Sequence, residues 1–249
     1  SEDEIAEKLA DVGAELGGHI DRDRAGITLR TLSNARERGQ ALDIMSRMVQ
    51  KPEFPEKVLD REKMRLVAML KDAATKPESI AERAFYSLLY GSHPYALRTS
   101  GEVDSVESLK RDDLVNFYRA YYTASDAVVA IIGDVNRETA QEIAEKLTAK
   151  LPEEAAPLPV LPQVTLPLQA QNREIQHPAT QSHILLGYPG MKRDDPDYFA
   201  LLVGNYILGG GGFSSRFVEQ VRQKRGLAYS VYSYFEPLQQ KGPFQVGLQ

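Results

Sequence analysis

Between Pro152 and Pro167 the chain places five prolines (Pro152, Pro157, Pro159, Pro162 and Pro167) within sixteen residues. Each ring fixes φ and removes a backbone N–H, so neither a helix nor a central strand runs through such a stretch. A chain interrupted in this way folds on either side of the break, and 249 residues suffice for two ordinary domains. The reading is a first domain over residues 1–151, a linker over residues 152–167 and a second domain over residues 168–249.

On the N-terminal side, Ser1 to Glu4 reads as a capping box opening a helix with Ile5, Leu9 and Val12 on one stripe, ending near Gly17-Gly18. Ala25 to Leu32 alternates like a strand. Asn34 suits the cap of a helix carrying Ala41, Leu42, Met45 and Met48, and Pro55 the first turn of a long helix over residues 56–74. Pro77 begins another, with Ile80, Ala84, Phe85 and Leu88 inward. A helix follows at residues 109–118. The run DAVVAIIG (Asp126 to Gly133) is nearly continuous in apolar residues and predicts a well-buried strand. An amphipathic helix at residues 139–151 closes the first part.

Beyond the prolines come an extended segment at residues 172–177, a strand at residues 182–188 and a helix with Phe199, Leu202 and Val203 inward. Leu208 to Phe235 (LGGGGFSSRFVEQVRQKRGLAYSVYSYF) then supplies a glycine run, a helix capped at Ser214 and stopped at Gly226, and a strand from Tyr229 whose period is two. The final FQVGLQ is also strand-like, so the second domain reads as truncated and the chain as a fragment, processed or trimmed ahead of Ser1. Runs of strands and helices in this order predict an α+β fold with antiparallel sheets.

Composition closes several routes. A net charge of −5 argues against a nucleic-acid surface, which needs a basic footprint. No apolar run reaches the ~20 residues of a membrane-spanning helix, so a soluble chain is expected. With no cysteine there is no disulfide, thiolate metal site or cysteine nucleophile. His19, His93, His177 and His183 show no H-x-x-E-H spacing and read as surface or packing histidines. The glycine run lacks the Gly-Lys-Ser/Thr of a phosphate loop, which favours a flexible loop or close backbone packing. No serine sits in G-x-S-x-G. Asp112-Asp113 and Asp194-Asp195 suit helix N-termini, where carboxylates oppose the dipole. Arg222 and Tyr229 lie where they can converge across the turn. Alternatively Arg222 covers the edge of the core with its stem and Tyr229 is a packed strand aromatic.

Several stretches resemble one family. QSHILLGYPG (Gln181 to Gly190) followed by DDPDYFALLVGNYILGGGGFSSRFVEQVRQKRGLAYSVYS is similar to the second half-domain of the pitrilysin/insulinase zinc peptidases, near mitochondrial-processing-peptidase-like members. FPEKVLDREKMRLVAML, YGSHPYALRTSGEVDSV and DLVNFYRAYYTASDAVVAIIGDV are similar to the opening half-domain. The resemblance covers nearly the whole chain and implies two similar half-domains, each an antiparallel sheet flanked by helices.

Catalytic members hold zinc with an inverted H-x-x-E-H motif and a downstream glutamate. The resemblance puts the H-x-x-E-H upstream of residue 1. Aligned on Arg61-Glu62-Lys63, the glutamate position falls at Met69, whose neutral thioether is a poor substitute for carboxylate on zinc. Asp72 is the one nearby stand-in. Gly18-His19-Ile20-Asp21 also departs from the small-polar pattern of the substrate-pairing strand. The resemblance therefore implies a non-catalytic member that binds no metal or cofactor of its own. In it, Arg222 would hold a substrate carbonyl and Tyr229 would stabilise the oxyanion in trans. The implied partner is a catalytic, zinc-holding subunit in a heterodimer, or a second copy in a homodimer, with a peptide as substrate. The implied compartment is the bacterial periplasm or cell envelope. Two further readings stand beside this one: an active zinc metallopeptidase with its H-x-x-E-H upstream of residue 1, and a peptide-binding or assembly subunit with no catalytic part.

Overall fold

A computed structural model describes residues 2–153 and 156–249, so Ser1 of the expected capping box and Glu154 and Ala155 of the proline stretch lie outside the described residues. The helices are α1 (Glu2–Asp11), α2 (Ala35–Gln50), α3 (Glu56–Ala73), α4 (Pro77–Tyr90), α5 (Val103–Ser108), α6 (Arg111–Tyr121), α7 (Arg137–Thr148) and α8 (Tyr198–Asn205). The strands are β1 (Glu15–Ile20), β2 (Ala25–Arg30), β3 (Ile184–Pro189), β4 (Val231–Phe235) and β5 (Pro243–Leu248). Both sheets are antiparallel, β1-β2 in one and β3-β5-β4 in the other, which makes the fold α+β. Two compact units emerge: Ser1–Met64 with Glu107–Pro159, and Arg65–Val106 with Val160–Gln249. Residues 65–106, expected with the first domain, group with the second sheet because the aromatic face of α4 packs there.

In the first unit, α1 stops earlier than expected. Gly13 takes φ +61° and turns the chain, so Gly17-Gly18 falls inside β1 instead of ending the helix. Gly17 permits a close approach, since a Cβ there would lie 2.9 Å from Thr28 Oγ1. Asp21 builds the β1–β2 turn: its Oδ1 accepts from the N–H groups of Asp23 and Arg24, both at 2.8 Å. Burial by itself raises the Asp21 pKa, but the Arg24 guanidinium and those N–H groups outweigh it and hold the carboxyl at about 2. Asn34 Oδ1 accepts from Glu37 N–H at 3.2 Å and caps α2, as its position predicts. At the far end of α2, Gln50 Nε2 donates to the Lys146 and Leu147 carbonyls at 2.6 and 3.0 Å, satisfying terminal acceptors of α7. Leu9, Val12, Ala14 and Ala41 form one buried cluster; Leu42, Ile143 and Leu147 form another, against which Leu29 and Ile131 pack.

The strand expected at Asp126 to Gly133 is not formed. Residues 127–132 carry no regular structure between a turn and a bend and enter neither sheet, and Val128 and Ile132 are 94% and 99% exposed. A strand exists only through a partner's hydrogen bonds, and apolar composition does not supply one.

In the second unit β5 is central, pairing with β3 from Ile184↔Leu248 to Pro189↔Pro243 and with β4 from Val231↔Leu248 to Phe235↔Phe244. The inward face of α4 is Phe85, Tyr86, Leu89 and Tyr90, one position round from the expected stripe. These residues bury with Tyr95 and Leu238, and Leu185 of β3 packs against them. Gly187 makes the approach possible, because a Cβ on it would lie 2.2 Å from the Phe244 carbonyl and 2.7 Å from the Phe85 ring. Helix α8 reverses the expectation. Phe199, Leu202 and Val203 are exposed, and the one buried residue of α8 is Asn205. Its inner face is polar because Ser233 of β4 offers it a hydrogen-bonding partner.

Candidate functional site

The stretch from Leu208 to Phe235 is held by close backbone packing. Asn205 Nδ2 donates to the Ser233 carbonyl at 3.1 Å, and Ser233 Oγ donates to Asn205 Oδ1 at 2.6 Å, both buried. Paired in this way, two buried polar side chains are satisfied and pin the end of α8 to β4. The glycines follow from this clip. A Cβ on Gly209 would lie 2.4 Å from Ser233 Oγ and 2.6 Å from Phe217, and one on Gly210 2.7 Å from Asn205 Nδ2. Of the two readings left open for the glycine run, close packing fits these distances.

Past the glycines the chain turns at Gly212, φ +59°, and the helix begins one residue later than expected. Ser214 donates to the Gly211 carbonyl, whereas buried Ser215 accepts from Val218 N–H at 3.4 Å and acts as the cap. Over Val218–Gln223 the turns widen, with Lys224 N–H reaching the Glu219 carbonyl at 3.0 Å. Tyr206–Gly210 widens likewise, with Gly211 N–H on the Tyr206 carbonyl at 2.8 Å. Wide turns of this kind are costly in isolation and recur at functional sites. Gly226, φ +62°, then ends the helix where glycine in the sequence marks its stop.

This geometry brings Arg222 and Tyr229 together. The guanidinium carbon of Arg222 lies 4.9 Å from the Tyr229 ring centroid and 5.2 Å from that of Phe213. The planar cation is therefore held by two aromatic faces, a contact worth ~0.5–1 kcal/mol at an exposed site. Neighbouring side chains are engaged elsewhere: Lys224 is paired with Glu219, and Arg225 donates to the Gln220 carbonyl. Among the described residues no carboxylate pairs with Arg222, so its N–H donors stay available. Tyr229 is 75% exposed, and its backbone N–H donates to the Gln249 carbonyl at 2.7 Å, which ties the approach to β4 beside the end of β5. Such a pair suits a carbonyl or carboxylate: fixed guanidinium donors beside a phenol O–H. Nothing in the sequence points to Phe213, because its place next to a glycine run gives no periodic signal.

The position that the resemblance assigns to a zinc-binding glutamate carries no carboxylate. Met69 is half exposed on α3 and offers a thioether where the resemblance places a carboxylate. Asp72, the stand-in, pairs with Lys76 at 2.5 Å. Among the described residues, no three His, Asp or Glu side chains gather as a ligand set. Two histidines are committed to the backbone. His93 Nδ1 accepts from Tyr95 N–H at 3.1 Å, which leaves Nε2 to donate to the Pro162 carbonyl at 2.9 Å. His177 repeats the pattern with Ala179 N–H and the Thr75 carbonyl, both at 3.1 Å.

The second unit also has a hollow lined by Glu78, Glu82, His183, Tyr232, Tyr234 and Gln245. Burial, reinforced by Glu236 and Tyr232, pushes the Tyr234 phenol up to about 12. Gln245 is buried and its Oε1 has no partner among the described residues.

Comparison with known proteins places these features in a family. The chain is 29% identical over 248 residues to an uncharacterized zinc protease of Streptomyces coelicolor, covering 98% of this chain and 53% of that protein. A crystal structure of a peptidase M16 inactive domain from Pseudomonas fluorescens superposes with a TM-score of 0.93 at 38% identity, over 98% of this chain and 59% of the other. A protease from Helicobacter pylori shares the fold at 20% identity, with a TM-score of 0.83, over 98% of this chain and 60% of the other. The chain thus spans about half the length of the curated relatives it matches, 53% and 57% for the Streptomyces and Bacillus subtilis proteins. The family model described as insulinase (peptidase family M16) matches residues 1–102, and that described as peptidase M16 inactive domain matches residues 108–249. With the larger match covering more than half of its residues, the chain belongs to the M16 peptidase family.

Proposed function

We propose that this M16-family chain is a non-catalytic subunit of a zinc endopeptidase, closing a peptide chamber over a separate catalytic subunit. The reading rests on one observation: Arg222, held between Phe213 and Tyr229, keeps its donors free at an exposed surface. In this reading the guanidinium binds a peptide carbonyl. The Tyr229 hydroxyl donates to the oxyanion that develops on the scissile carbon. Both donors are oriented before the reaction, the condition under which such groups lower a barrier most. Zinc and its H-x-x-E-H belong to the partner subunit, since the Met69 position on this chain offers no carboxylate. The similarity to a structure described as an M16 inactive domain supports the non-catalytic part of the reading.

The test is a reconstituted pair: this chain with a zinc-peptidase subunit that carries H-x-x-E-H and co-purifies with it. Tyr229→Phe should lower turnover of a fluorogenic peptide by ~10²–10³ while leaving zinc content unchanged. Unchanged turnover would remove Tyr229 from the chemistry. Stoichiometric zinc and peptide cleavage by the isolated chain would overturn the non-catalytic assignment.

A further inference from the structure

Residues 160–181 belong to the second unit but form no helix or strand. Leu161 and Val164 of this strap pack on the cluster that contains Tyr90, Tyr95 and Leu238. Among the described residues, only two of the strap's main-chain groups are hydrogen-bonded, and each is bonded to an imidazole. The Pro162 carbonyl accepts from His93 Nε2 at 2.9 Å, and Ala179 N–H donates to His177 Nδ1 at 3.1 Å. His177 Nε2 in turn donates to the Thr75 carbonyl at 3.1 Å, which ties the far end of the strap to the turn between α3 and α4. His93-Pro94-Tyr95 and His177-Pro178-Ala179 are thus one device used twice. In each, Nδ1 accepts from the N–H two residues on, and Nε2 donates to a carbonyl distant in sequence.

Both clips require a neutral ring. Nδ1 accepts only while it carries no proton, and a second proton turns it into a donor aimed at an N–H. Histidine is the side chain that ordinarily makes this change between pH 5 and 8. Facing His93 are the rings of Tyr90 and Tyr95, with centroids 6.0 and 4.7 Å from its own. Tyr90 Oη donates to the Lys241 carbonyl, and Tyr95 Oη accepts from Gln240 N–H. The charged groups on the segments around His177 are Asp72 and Lys76, paired with each other, Glu78, 3.9 Å from His183, and Arg173 and Glu174 of the strap. Among the described residues, no carboxylate pairs with His93 or His177 to hold the charged ring in place.

We propose that His93 and His177 form an acid-sensitive latch. With neutral rings they hold the strap on the second unit; protonation releases it and uncovers the cluster beneath Leu161 and Val164. The held state excludes the second proton and the released state accepts it, so attachment is complete at high pH and is lost as pH falls through the histidine range. Below that range the ratio of released to held strap rises about tenfold per clip for each pH unit. The inference is independent of the role given to Arg222 and Tyr229.

The test uses nitroxide labels on cysteines introduced singly by Gln163→Cys and Thr180→Cys, exposed positions beside the two clips in a chain without cysteine. Electron paramagnetic resonance should show both labels restrained at pH 8, with a mobile component that grows as pH falls to 5. His93→Gln keeps an amide donor for the Pro162 carbonyl but does not titrate. It should remove the transition at residue 163 and leave the one at residue 180, and His177→Gln should do the reverse. That exchange separates local release from acid unfolding, which would mobilise both labels in every variant. His93→Ala should leave the label at residue 163 mobile at every pH. Labels that stay restrained down to pH 5, or a transition that persists at residue 163 in His93→Gln, overturn the proposal.

Discussion

Asp126 to Gly133 and the run that becomes β3 look alike in sequence: both are short, apolar and bounded by turn residues. Their fates differ. Ile184–Pro189 pairs with β5 along its whole length, and its Gly187 lets Phe85 of α4 press against the sheet. The earlier run packs Ile131 on residues of α2 and α7, but among the described residues no strand pairs with it. Apolar residues create a demand for burial, whereas strand structure requires hydrogen-bond partners brought from elsewhere in the chain. Helix α8 teaches the same lesson for packing. Its apolar residues mark it as a core helix, yet only Asn205 is buried, because Ser233 is the neighbour its inner face meets.

Mutations can sharpen this contrast. The largest effect is expected at Phe85→Ala, which empties the contact between α4 and the paired sheet and should cost ~3–5 kcal/mol in urea denaturation. Gly187→Ala comes next. Its methyl group has no room between the Phe244 carbonyl and Phe85, and the expected loss is ~1–3 kcal/mol. A stable Gly187→Ala protein would show that β3 can move off α4 and would weaken the distinction between the two runs.

A smaller effect is expected from pH. Tyr234 in the folded sheet is raised from 10.0 to about 12, so between those values the unfolded chain loses its phenol proton while the folded chain keeps it. The unfolded state then binds fewer protons, and stability declines as pH rises across that window. Urea midpoints at pH 8 and pH 11, compared with those of Tyr234→Phe, measure this contribution. An identical pH dependence in the variant would assign it to other groups. The smallest effect belongs to the unpaired run: Val128→Ala in the 249-residue chain should change stability by less than about 0.5 kcal/mol. A larger loss would mean that the exposed run already has a partner in the isolated chain.

Part of the site is legible in the amino-acid sequence. Gly226 stops its helix, and Arg222 and Tyr229 meet across the turn, because helix termination and strand periodicity are local properties. Phe213 and the Asn205–Ser233 clip are not legible there. Each depends on contacts between segments that no spacing rule connects. The cap lies at Ser215 instead of Ser214 for a related reason. Both serines satisfy the capping chemistry, and the turn at Gly212 decides which hydroxyl faces the first helical N–H groups.

The sequence by itself indicated most of the helices from their apolar spacing and the α+β class from the order of its runs, and it left the convergence of Arg222 and Tyr229 across the turn as one of two readings. These are properties of neighbouring residues, set by backbone sterics and short-range hydrogen bonds. Only the tertiary structure decided which apolar runs became strands, which face of α8 turned inward, and that residues 65–106 group in one unit with the second sheet. Those outcomes depend on what lies opposite each element. A buried donor or an apolar face is satisfied by a partner distant in sequence, and the chemistry of the segment alone does not say which partner arrives.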